Sequence, residues 1–463
     1  MPRRWFIDRR HPLVRRRFAP LLVGLALLLS ACGREAARLG PTVNLQVLIS
    51  AGRLTDQIAR ENLKKIVAGE VNDFMRSNPG VQVHTRYVLE NDVLETMRKR
   101  SSLGTGPDLM VTSVPLALAL YQEGMSVPGN LTAQQLASLK IRHLDDFRDG
   151  ERFVALPFLV QPNLVCYNRK AIASPPTSLA QLLVLAEQGR RIGLSLVMDQ
   201  LLWSGHGFAA QEPILRLFDA SPETPAGRAL SPADRPRVLA WLRWLYRANV
   251  HPNMQFSDTN EDLAKRFLAR EIDWMTCNAV LIPNLRRVLG ADLGLAQMPG
   301  PEENKPAPAV ARMTLLSFGR DSSGRQREAA QRFAEFLLND YSQSTLMTAA
   351  IGNLPVNGNV IIPIKKSAEM RAINEAETLA IVPTFHRAVG VRQQREPLMR
   401  LLKQNVYGEL SPQEVLVEIE ALAAQRKPPA ATTMSTAGAR PLPANATRSQ
   451  PASSLRVPQT SRP

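Results

Sequence analysis

The stretch from Val43 to Ser113 constrains the fold most. In VNLQVLIS, Val43, Leu45, Val47 and Ile49 alternate with the period of a half-buried strand. A helical stretch follows, with Leu63, Ile66, Val67, Val71 and Phe74 on one face. NPGVQVHTRYV supplies a turn and a second alternating strand, a helix runs from about Val93 to Leu103, and GPDLMVTS forms a third strand. A β-α-β-α-β order of this kind demands a mainly parallel sheet covered by helices, because parallel neighbours need long crossovers. The chain is therefore expected to be α/β.

The pattern changes after this unit. RFVALPFLVQPNLVCYNR is a long apolar segment broken by Pro157 and Pro162, which reads as two strands with a crossing between them. Helices are expected at Leu179 to Glu187 and at Arg235 to Ala248, the second turning Val238, Trp241, Leu242 and Leu245 inward. LAKRFLAREIDWMTCNAVLIPNLRR reads helix, strand, helix, and LGLAQMPGP and MTLLSFG read as short strands. The closing helix opens on SPQEVL, where Ser411, Pro412 and Glu414 fit the N-cap, N1 and N3 positions of a capping box. The stretch from Val43 to Gln425 is too long for a single core, so two domains are expected.

Both ends differ from the middle. Residues 1–31 carry seven arginines ahead of the apolar run Leu21 to Leu29, which falls well short of the roughly 20 residues that span a bilayer. Basic residues, a short apolar run and then small residues form the layout of an export signal. Leu29-Ser30-Ala31-Cys32 resembles the lipobox of bacterial lipoproteins, in which the cysteine receives lipid and becomes the first residue. Residues 1–31 are thus expected to be a lipoprotein export signal and 32–42 a linker after the lipidated Cys32. Arg15-Arg16-Arg17-Phe18 also resembles a twin-arginine signal, which leaves the general secretory and twin-arginine routes both open. From Lys427 onward there are seven prolines, ten serines or threonines and no aromatic residue, so 426–463 is expected to be a disordered basic tail. The formal charge of +16 is concentrated in these two ends, and the mildly basic middle argues against a nucleic-acid partner.

Few motifs point to catalysis or a cofactor. GTGPDL has two glycines of a dinucleotide loop and lacks the third, and there is no GxSxG or Walker pattern. Asp145-Asp146 sits in a polar loop, LDDFRDG, with no second element opposing it. There is no CxxC or HExxH, and the histidines are scattered, so neither a metal nor another cofactor is expected. Cys166 and Cys277 each lie in an apolar strand-like stretch. Two free buried thiols are the favoured reading over a disulfide, which an exported location would permit.

The order of these pieces resembles family 1 extracellular solute-binding proteins, the receptors of ABC importers, including maltose-binding proteins. GTGPDLMVTS followed by YQEG, LPFLVQPNLVCYNRKAI, RFLAREIDWMTCNAV, AAQRFAEFLLNDYSQSTLMTAAIGNLPVN and GELSPQEVLVEIEALA carry the likeness in sequence order. The resemblance implies a two-lobed periplasmic-binding-protein fold of type II, each lobe a mainly parallel sheet flanked by helices, joined by crossing hinge strands. It places 43–160 and 282–314 in lobe 1, and 161–281 and 315–425 in lobe 2. It also implies a monomeric, non-enzymatic receptor that closes on a sugar, oligosaccharide or polyol-like solute and delivers it to permease subunits, anchored to the outer face of a membrane through Cys32. A lipid-anchored sensor or accessory protein with no transported ligand is the alternative.

Within that frame the expected ligand contacts are Ser50 and Arg53 after the first strand, and Thr112 and Ser113 at the end of the third. Ser and Thr at such positions also cap helices. Gln161 and Asn163 at the first crossing, and Asn278 at the return crossing, are read either as ligand contacts or as hinge hydrogen bonds. Relatives often carry Asn-Gly-Pro-Trp at the return crossing, whereas Asn278-Ala279-Val280-Leu281 here lacks the aromatic platform. Trp203, in the glycine-flanked LLWSGHG, is then the aromatic candidate, with His206 beside it; Trp241, Trp244 and Trp274 read as packing residues. Arg312 would add a fixed positive charge and favour an anionic solute.

Overall fold

The alternation at the start of the chain becomes three parallel strands. β1 (Val43–Ala51) lies between β2 (Val81–Leu89) and β3 (Leu109–Ser113), with helices Gln57–Ser77 and Val93–Ser102 as the connections. The computed structural model describes residues 42–425 apart from 52–56, 141–143, 146, 150–151, 220–228, 351 and 383–384. The expected export signal, Cys32, Arg53 and the basic tail lie outside the described residues. Among the described residues no helix is long and apolar enough to cross a membrane.

The remaining strands are β4 (Ser126–Val127), β5 (Arg148–Asp149), β6 (Arg152–Phe153), β7 (Leu156–Gln161), β8 (Asn163–Asn168), β9 (Ile192–Ser195), β10 (Met254–Ser257), β11 (Trp274–Asn278), β12 (Leu293–Ala296), β13 (Arg312–Gly319) and β14 (Leu354–Pro355). They build a seven-stranded sheet in the order β14-β7-β13-β3-β1-β2, with β4 beside β13, and a five-stranded sheet in the order β10-β9-β11-β8-β12. β5 and β6 form a small separate hairpin.

Each sheet has its own core. Against the first, Phe74 from helix Gln57–Ser77 meets Phe333 from helix Gly324–Leu338 with ring centroids 4.7 Å apart, over Leu45, Val47 and Leu315. Against the second, Trp203, Trp241 and Trp274 pack on one side, and Phe267, Met275 and Leu285 on the other. Ser411 caps helix Pro412–Ala424 through the expected box, its side chain accepting from the Glu414 N–H.

Sheet partners divide the chain differently from the expected lobe boundaries. Helix Ile282–Leu289 packs Ile282 and Leu285 into the core under β8 and β11, and β12 pairs antiparallel with β8, so this stretch belongs to the second sheet. β13 instead runs antiparallel between β3 and β7 in the first, and the helix after it carries Phe333 into the first core. The chain thus returns to the first sheet through 297–311 rather than after Asn278. It leaves again after β14, and helices Ala368–Leu379 and Pro412–Ala424 pack with the second sheet. Short apolar strands such as LGLA and MTLLSFG carry no mark of their partner, which is why alternation alone misplaces them.

The expected crossing at Pro162 is present, since it separates β7 of the first sheet from β8 of the second. Pro157 has no N–H to donate, and the β7–β13 register skips Phe158 next to it, a bulge that bends β7 just before the crossing.

Cys166 and Cys277 correct the thiol reading: they form a disulfide with Cα atoms 5.5 Å apart. They sit diagonally on β8 and β11, where Cys166 faces Met275 and Cys277 faces Leu164. Only the register of two strands 111 residues apart brings them together. In denaturant, the full chain without lipid on Cys32 should therefore titrate one thiol before reduction and all three of its cysteines afterwards. Three thiols before reduction would remove the bridge.

Glu70, on helix Gln57–Ser77, is 3% exposed, and its Oε2 has no hydrogen-bond partner. Desolvation raises its pKa, the nearby Ser342 hydroxyl offsets part of this, and Asp73 adds repulsion. The folded state thus holds the Glu70 proton more tightly than the unfolded chain, and that stability is lost as pH rises through the folded value. Glu70→Gln should raise stability at pH 8 by on the order of 1 kcal/mol, with the gain shrinking toward pH 4. Melting the two proteins at both pH values checks this.

Candidate functional site

Open α/β sheets bind ligands beyond the carboxyl ends of their parallel strands. At that end of the first sheet, Ser113 closes β3 and stands at the N-cap of helix Val114–Gln122, yet its side chain does not cap that helix. Its Oγ donates instead to Glu90 Oε1 at 2.6 Å. Glu90 directly follows β2. Ser113 pairs across the sheet with Thr314, and two residues earlier on the same face of β13, Arg312 pairs with Gln161 of β7. Side chains directly opposite on adjacent strands are near neighbours. Gln161 Nε2 donates to Asn353 Oδ1 at 2.7 Å.

The result is a polar strip, Glu90, Ser113, Thr314, Arg312, Gln161 and Asn353, across three strands of the first sheet and their flanks. It meets the second sheet at Asp199, on helix Met198–Leu201 just past the carboxyl end of β9. Asp199 Oδ2 lies 4.0 Å from Arg312 Nε, with the two side chains 31% and 42% exposed. The ends of the two sheets that carry Ser113 and Ser195 therefore converge on one ion pair that solvent can reach.

Beneath the strip, Asn163 and Asn278 are buried and hydrogen-bonded where the chain passes between the sheets. Asn163 is 1% exposed, and its Nδ2 donates to the carbonyls of Asp199 (3.2 Å) and Val310 (2.7 Å). Its Oδ1 accepts from Gln200 (3.3 Å) and Asn278 (3.2 Å). Asn278 Oδ1 in turn accepts the Val280 N–H. Asn163 and Asn278 are thus buried and hydrogen-bonded within the protein. Gly352, with φ of 108°, lies against the carbonyl of Ala279, where a Cβ would collide with backbone. The turn just before β14 is thereby held close to the end of β11.

Other expected contacts are not brought to the strip. Thr112 is 1% exposed, and the β1–β3 register places it with Ser50 on the face opposite Ser113. Trp203 is 1% exposed in the second core, its ring 6.4 Å from that of Trp274, so it is no cleft platform. The glycines that made LLWSGHG look like a loop are packing positions: a Cβ on Gly207 would collide with Leu179, and Gly205 lies against Gln211 and Trp241. Half-buried His206 is tied to Gln211, and burial lowers its pKa against that hydrogen bond. Trp241, Trp244 and Trp274 are buried, as their spacing implied.

Residues 71–372 match the model of the bacterial extracellular solute-binding protein family, and the chain belongs to that family. No curated protein matches it. Among solved structures it is similar to the GacH receptor of Streptomyces glaucescens, known unliganded and with acarbose, at a TM-score of 0.67 and 15% identity over 83% of this chain and 100% of that one. Maltose-bound MalE3 of T. maritima gives 0.64 and 16% over 82% and 99%. An ABC transporter solute-binding protein from Thermotoga lettingae, bound with α-D-tagatose, gives 0.62 and 15% over 83% and 99%. The fold is the two-lobed periplasmic-binding-protein fold.

Removing a buried aromatic leaves a cavity, so Trp203→Ala should cost about 3–5 kcal/mol of stability in a denaturant titration. A tryptophan lining an open cleft would cost far less.

Proposed function

We propose that the protein is the lipid-anchored, envelope-facing receptor of an ABC importer and binds a sugar or polyol-like carbohydrate between its lobes. The reading rests on the strip from Glu90 to Asn353 and its junction with Asp199. Hydroxyl-rich solutes need many donors and acceptors at close spacing, and Ser, Thr, Gln, Asn and carboxylate side chains supply both. None of the strip residues is aromatic, which favours a solute held by its hydroxyls over one stacked on rings.

A solute touching both lobes makes all its contacts only when they are close, so binding shifts the population toward the closed form. That form is the one a permease would accept. Lipid on Cys32 would hold the receptor at the membrane face, the linker 32–42 would give it reach, and the working unit would be a monomer. Sugars bound by the structural neighbours, among them maltose and tagatose, support the solute class.

Thermal unfolding of the full chain with mono- and oligosaccharides, polyols, sugar phosphates and amino acids tests the proposal. A solute at roughly 100 times its Kd should stabilise the protein by about 2.7 kcal/mol, a shift of a few degrees. Shifts with amino acids alone would replace the carbohydrate class, and no shift with any compound would favour a sensor or accessory role.

A further inference from the structure

We infer that Asp199 is a specificity-determining residue that turns the cleft away from anionic solutes by engaging Arg312; the inference rests on the carbohydrate reading above. A guanidinium at a ligand-binding strand end is a natural seat for a carboxylate or phosphate, which it can grip with two parallel hydrogen bonds. Here Arg312 comes from the first sheet, and the group beside it is a carboxylate from the second, 4.0 Å away. An anionic solute on Arg312 would have to displace Asp199 and then lie against it. A neutral solute leaves the pair in place.

The backbone around Asp199 ties the two partners of this pairing to one buried side chain. Its carbonyl accepts from Asn163, the buried amide that also holds Val310 two residues before Arg312. One side chain thus sets the positions of both chain segments that carry the charges. Because the partners belong to different sheets, the pair forms only while the lobes are this close. A solute that competes for Arg312 therefore opposes closure, and one that spares it does not. Glu90 adds a second carboxylate at the far end of the strip, held by a neutral hydroxyl from Ser113. Like charges brought together at a binding surface discriminate strongly between partners.

The test uses the full chain, Asp199→Asn, Asp199→Ser and the double variant Asp199→Asn/Arg312→Gln, each first shown to unfold cooperatively. Thermal shifts and calorimetric affinities are measured with maltose, glucose, glucuronate and glucose 6-phosphate. In the parent, a neutral sugar should shift the transition and the two anions should not. In Asp199→Asn and Asp199→Ser, affinity for the anions relative to the neutral sugar should rise about tenfold or more, and the double variant should lose the gain. A merely structural Asp199 would weaken all four alike. Parent shifts as large with anions as with neutral sugars, or substitutions that leave the ratio unchanged while a neutral sugar still binds, would overturn the inference alone. No shift with any of the four in any protein would overturn the carbohydrate reading and this inference together.

Discussion

The arrangement depends on one buried amide. Asn163 uses both its donors and both its acceptor positions, on Asp199, Val310, Gln200 and Asn278. Those partners come from the helix after β9, the return segment and the end of β11, so the first two crossings between the sheets share a single fixed point. Leaving either carbonyl without its donor at such depth would cost about 1–3 kcal/mol. Pro162, directly before Asn163, suits this place because a residue between two sheets has no ladder partner to lose.

The site follows from where that fixed point lies. With the crossings pinned under the carboxyl ends of both sheets, the side chains just above, Gln161, Arg312 and Asp199, form the polar layer between the sheets. Their neighbours by strand register, Thr314 and Ser113, extend the patch across the first sheet toward Glu90. Burial separates the two layers: the lower amides are at most 3% exposed, while Arg312 and Asp199 above them remain open to water. Asn163 and Gln161, neighbours at the same crossing, thus lie at different depths.

Much of the fold was legible in the sequence because its signals are local. Alternation in VNLQVLIS, the helical face from Leu63 to Phe74, the break at Pro162 and the cap at Ser411 each act within a few residues. Pairing across long separations was not legible. Nothing in LGLA or MTLLSFG says which sheet each joins, and the disulfide depends on a register that no spacing encodes. The site was legible in part. Ser113, Gln161 and Arg312 are in the strip, whereas Trp203 misled because Gly205 and Gly207 serve close packing rather than a loop. Glu90 and Asp199 carry the same signal as Ser113, since each lies at or just past the end of a parallel strand.

The bridge between β8 and β11 changes the connectivity of the molecule. By joining Cys166 to Cys277, it closes the chain between them into a covalent ring that contains β9, β10 and the helices around Trp203 and Trp241. The ring's neck lies a few residues from Asn163 and Asn278. A cut anywhere within it would open a loop without releasing a fragment, so under oxidising conditions the second lobe would stay attached to the hinge through two strands.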